Sequence, residues 1–105
     1  MATARKNMHN EWEVVDEIDL PDDRVLRIYT SRRSSGFLST TATVGRLEGG
    51  FFSFMMFQDY SKTVSSEKVR CTQKTVEAHH AAAMVGIEKI KADVAAFYTK
   101  KPAHA

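Results

Sequence analysis

From Trp12 onward the chain alternates. Trp12, Val14, Ile18 and Leu20 fall on one side, and Glu13, Val15, Glu17 and Asp19 on the other. A period of two with aromatic and β-branched content predicts a strand over 12–20. Asp16 interrupts the apolar side, which marks a bulge or an edge. The proline turn at 21–24 leads to a second strand over 24–32, with Leu26 and Ile28 on one face and Val25, Arg27 and Tyr29 on the other. A third strand, rich in threonine, is predicted over 37–47. Glu48-Gly49-Gly50 then turns the chain into a fourth, "FFSFMMFQDY". The segment after it, "SKTVSSEK", has no apolar alternation and reads as loop.

The period changes in the last third. Val76, His80, Ala83, Ile87, Ile90, Val94 and Phe97 recur at steps of four and three, which predicts one helix over 72–99 with a single apolar stripe. Thr72 or Thr75 is placed to cap it. At 1.5 Å per residue this helix spans roughly 40 Å, longer than the roughly 27 Å of an eight-residue strand. It overhangs its sheet unless it bends, and Gly86 is the position for a bend. The expected architecture is α+β: a four-stranded antiparallel sheet followed by one long C-terminal helix packed on one face. The folded unit is expected over 11–101, with a mobile N-terminal tail over 1–10 and a C-terminal tail over 102–105.

The fourth strand raises a question of cover. Phe52, Phe54 and Met56 would stand on the face opposite Phe51, Met55 and Phe57. One helix covers one face, and a large exposed apolar patch usually marks an interaction site. The sequence therefore predicts a homodimer, two-fold dimers being the commonest oligomers.

Composition adds little, and charge adds more. In 105 residues, 43% hydrophobic and 27% charged content suit one ordinary globular domain. No apolar run reaches membrane-span length. The lone Cys71 rules out an intramolecular disulfide, and the expected location is cytoplasmic. The net charge of +2 conceals two blocks. Residues 1–23 hold two basic and seven acidic side chains, whereas residues 24–46 hold five arginines and no acid. Such neighbouring blocks pair across a hairpin. Arg32 and Arg33 lie beyond that pairing, in the loop "TSRRSSG", where forked guanidinium donors suit anions.

The chemistry-bearing residues point away from catalysis. His79 and His80 are about 100° apart on a helix and cannot chelate as a pair. His80 falls in the apolar stripe and reads as a hydrogen-bonded core histidine, and His79 as solvated. Cys71 near the helix start lacks a base and an orienting group. No phosphate loop, triad or cofactor signature is present. The expectation is a non-enzymatic protein-interaction or regulatory module without cofactor or metal, binding an unidentified protein partner through an apolar sheet face and the basic loop. Its alternative is a binder of single-stranded nucleic acid using Arg27, Tyr29, Arg32, Arg33 and Phe37, with bases stacked on rings and phosphates on arginines.

Overall fold

The computed structural model describes residues 3–21, 23–33, 36–48, 51–53 and 60–100. It is an α+β fold, as the periodicities predict. The strands are β1 (Arg5–Lys6), β2 (Trp12–Leu20), β3 (Arg24–Arg32), β4 (Leu38–Glu48), β5 (Phe51–Ser53) and β6 (Tyr60–Glu67), followed by α1 (Gln73–Met84) and α2 (Ile87–Lys100). All pairings are antiparallel, in the order β1-β2-β3-β4, with β5 and β6 both on the far edge of β4. The sheet is thus five strands wide.

Both helices cover the same face. On β2, β3 and β4 the even-numbered residues from 14 to 20, 24 to 30 and 38 to 44 point toward them, as the registers Val14↔Thr30 and Thr30↔Thr40 require. One core cluster joins Leu26, Ile28, Ala42 and Val44 of the sheet to Ile90 and Val94 of α2. A second joins Ala4, Val14 and Leu38 to Val76 of α1. A fully buried leucine such as Leu26 contributes about 1.5–3 kcal/mol by removal from water. Arg24 stacks over the Tyr98 ring at 4.2 Å and helps hold the end of α2. Glu17 stands opposite Arg27 in the β2–β3 register, so the acidic and basic blocks do meet across a hairpin.

Three expectations need correction. The long helix is two helices. Thr72 opens α1 with a capping box, its side chain accepting from the Thr75 amide while the Thr75 hydroxyl accepts from the Thr72 amide. At its end the Val85 and Gly86 amides turn back to carbonyls of residues 81 and 83, and α2 restarts from the Gly86 carbonyl. The break lets both segments stay on the sheet where a straight rod would overhang it.

The second correction is β6, which the sequence reads as loop. It is an edge strand whose residues are mostly exposed, so it has no apolar alternation to betray it. Its partner β4 supplies the pairing that its own pattern does not announce. Of the strand expected over the apolar stretch, β5 and Tyr60, the first residue of β6, lie within the described residues; Phe54 and Met56 lie outside them. Two steps along β4, from Arg46 to Val44, correspond to seven on the other side, from Ser53 to Tyr60, so β5 and β6 do not share a continuous register.

The third concerns the N-terminus, expected as a tail. Arg5 and Lys6 pair with Glu13 and Trp12. Ala4 is buried, and its amide donates to Glu77 Oε2 of α1 at 2.8 Å. Asn10 turns this hairpin at φ 61°, a conformation asparagine adopts more readily than most residues. Short polar hairpins carry no hydrophobic period, and this one is fixed by contacts distant in sequence.

Leu26→Ala is expected to cost about 2–5 kcal/mol in urea unfolding, since α2 and both neighbouring strands enclose the side chain. Tyr60 offers a test by pH. Burial, and after it Asp93, raises its phenol above the ordinary 10.0. The fold therefore favours the neutral ring, and this contribution is lost as pH rises through the raised value. In an ultraviolet titration, Tyr60→Phe should remove a phenolate step lying above the ordinary range.

Candidate functional site

Two polar constellations stand out, one sealed and one open. The sealed one lies under α1. His80 is 2% exposed. Its Nε2 is 2.7 Å from Asp16 Oδ2 on β2, and its Nδ1 is 2.8 Å from Thr30 Oγ1 on β3. Thr30 Oγ1 is in turn 2.6 Å from Thr40 Oγ1 on β4. A neutral ring protonated on Nε2 satisfies the chain: Nε2 donates to Asp16, the Thr30 hydroxyl donates to Nδ1, and that of Thr40 donates to Thr30. Asp16, which breaks the apolar alternation of β2, does so to meet this histidine.

His79 points to the other side of α1 and reaches β6. Its Nε2 lies 3.0 Å from Ser65 Oγ and its Nδ1 3.0 Å from Glu67 Oε1. It is buried, not solvated as its place beside the apolar stripe suggests. The stripe repeats along one helix face, whereas α1 meets β2 and β3 through His80 and β6 through His79. An Asp–His–Thr chain resembles the parts of a nucleophilic triad, but Thr30 and Thr40 have no exposed surface. No substrate reaches a hydroxyl so enclosed. These histidines fasten the helix to the sheet.

The open constellation lies where β3 ends and α1 begins. A cleft of about 640 Å³ is lined by Glu11, Arg32, Gly36, Lys68, Val69, Arg70, Cys71 and Thr72. The β3–β4 loop closes on itself, the Arg33 amide donating to Phe37 O and the Gly36 amide to Arg33 O, both at 2.8 Å. Gly36 sits at φ +88°, which a side chain would strain. Arg32 Nη1 meets Glu11 Oε2 at 2.7 Å, and this hydrogen bond raises the guanidinium pKa further. Opposite stand Lys68 and Arg70, both exposed, in the link from β6 to α1. The lining therefore holds three cations, Arg32, Lys68 and Arg70, and one carboxylate, Glu11. The Cys71 thiol donates to Trp12 O at 3.5 Å and is half-buried. Among the described residues, no group of three or more His, Cys, Asp or Glu side chains could hold a metal ion. No helix among them is long and apolar enough to cross a membrane.

The residues singled out from sequence are divided by the fold. Arg32 lines the cleft, and Arg33 and Phe37, both exposed, lie in the adjoining loop. Arg27 and Tyr29 are on the opposite face of the sheet. There the Arg27 guanidinium lies 5.4 Å from the Tyr29 ring centre, and the Tyr29 hydroxyl donates to Glu13 Oε1 at 3.3 Å. Phe52 belongs to β5, where it pairs with Leu47. Lys68, Arg70 and Glu11 were not singled out. For Lys68 and Arg70 the only sequence signal is the short "EKVRC" run before the helix, and its meaning depends on where β6 delivers it. No family model, curated protein or solved structure matches this chain.

Thr30→Val keeps the shape of the side chain but removes the hydroxyl that joins His80 to Thr40. Leaving buried polar atoms without partners should lower stability by about 1–3 kcal/mol in urea unfolding. An unchanged midpoint would show that the chain does not hold α1.

Proposed function

We propose that this protein is a non-enzymatic binding module that receives an acidic segment of a partner protein in the cleft between the β3–β4 loop and the start of α1. The observation that carries this reading is the convergence of Arg32, Lys68 and Arg70 from two separate segments on one open cleft. Arg32 is held in place by Glu11, while Lys68 and Arg70 extend from a link anchored at both ends by β6 and the α1 cap. Carboxylates entering the cleft gain charge-assisted hydrogen bonds from all three side chains, of which Arg32 is already held by Glu11.

The nucleic-acid alternative has less support. It needs arginines and aromatic rings on one surface, yet Arg27 and Tyr29 share the far face of the sheet with Glu13, Glu17 and Asp19. Acidic side chains beside the stacking ring repel a phosphate backbone.

The test is fluorescence anisotropy with a labelled peptide of alternating Glu and Asp and a labelled single-stranded oligonucleotide, at two salt concentrations. The peptide is expected to bind in a salt-sensitive manner. Lys68→Ala with Arg70→Ala should weaken it about tenfold or more, each tenfold being about 1.4 kcal/mol. Preference for the oligonucleotide, or a peptide affinity indifferent to the double substitution, would overturn the reading.

A further inference from the structure

β6 is the outer strand on its side of the sheet. One edge pairs with β4, and among the described residues no strand pairs with the other. An eight-residue open edge is a template for another strand. Its sequence, "YSKTVSSE", contains two charged residues, Lys62 and Glu67, of opposite sign.

The register explains how these charges relate. Thr41 pairs with Thr63 and Thr40 with Ser65, so Val64 is an extra residue at a bulge. Lys62 stands opposite Ala42 and Glu67 opposite Leu38. On the β4 ladder they are therefore an even number of steps apart and share a face, although their separation in sequence is odd. Without the bulge they would lie on opposite faces. A two-fold axis through Ser65 then brings Ser65 against its own copy and Thr63 against Ser66. It also brings Lys62 against Glu67, twice and on one face.

We propose that two copies of this chain join through β6, antiparallel and edge to edge, with the two-fold axis at Ser65, to make one continuous sheet. A bulge and a lysine ordinarily keep an edge from pairing with unrelated strands. Here they admit a strand that carries a matching bulge and a glutamate opposite the lysine, which a second copy supplies. Space beside the edge fits this arrangement. Two adjoining clefts, of about 230 and 460 Å³, run between β6 and the helices and share Val64, Ala83 and Gly86. Their small helical residues leave room for side chains of the added strand. The surface is separate from the basic cleft, so either proposal can fail without the other. It also differs from the apolar sheet face on which the sequence bases its dimer.

The experiment is sedimentation velocity on the full chain over a series of concentrations, with Lys62→Glu, Glu67→Lys and the double exchange. The wild type should pass from monomer to dimer as concentration rises. Each single reversal sets like charges opposite each other twice and should raise the dimer dissociation constant about tenfold or more. The double exchange should return it to within roughly threefold of wild type. Glu67→Lys also removes a partner of His79, so urea midpoints are measured alongside, and Lys62→Glu, which makes no such contact, serves as the variant expected to fold normally. A monomer at every concentration leaves the edge to a different chain and overturns the proposal. So does a dimer indifferent to the Lys62 reversal, or a double exchange that stays dissociated.

Discussion

The attachment of α1 to the sheet through two adjacent histidines is the constraint on which the rest of the molecule depends. Neighbouring side chains on a helix diverge by about 100°, so a helix lying flat on a sheet usually buries one of such a pair and exposes the other. Here the sheet engages both. His80 engages β2 and β3 directly and β4 through Thr30, while His79 engages β6. A hydrogen-bonded ring tolerates little sliding or rotation, whereas the aliphatic contacts of Val76 or Ala83 would accept several registers of similar burial. The polar chain therefore supplies uniqueness, and the apolar clusters supply most of the stabilisation.

The open cleft follows from that placement. Once α1 is set, its first turn and the link before it must lie beside the end of β3, and Lys68 and Arg70 come to face Arg32. The N-terminal hairpin reinforces the same corner. Ala4 packs with Val14, Leu38 and Val76, its amide binds Glu77, and Glu11 turns toward Arg32. The cleft is thus assembled from three segments distant in sequence, at residues 11, 32–36 and 68–72, with no local motif of its own. The break at Val85–Gly86 serves the other half of the molecule by returning Ile90 and Val94 to the sheet over Leu26 and Ile28.

Charge separates the two faces of the sheet. On the face away from the helices, Glu13, Glu17 and Asp19 of β2 lie beside Arg27 and Tyr29, so the opposite blocks seen along the chain adjoin one another there. At the helix-side corner the cations outnumber the carboxylates. A chain of nearly balanced charge thereby presents one corner of positive sign, and net charge alone could not have indicated where.

What the sequence determined by itself is what repeats locally. The alternation in β2 and β3 identified the strands and the face that enters the core, because burial on one side of a pleat imposes a period of two. The stripe from Val76 to Phe97 identified the helical segments; of its members Val76, His80, Ala83, Ile90 and Val94 are buried, and Ile87 and Phe97 half-buried. The Ser/Thr-rich edge strand, the β1 hairpin, the burial of His79 and the company of Arg32 were decided only by tertiary structure. Each depends on a partner in another segment of the chain: β6 on β4, Ala4 on Glu77, His79 on Ser65 and Glu67, and Arg32 on Glu11 and the cleft wall at Lys68 and Arg70. Local periodicity records how much of a segment is buried. It does not record which polar group lies opposite, and in this protein the polar groups opposite one another make both the latch and the site.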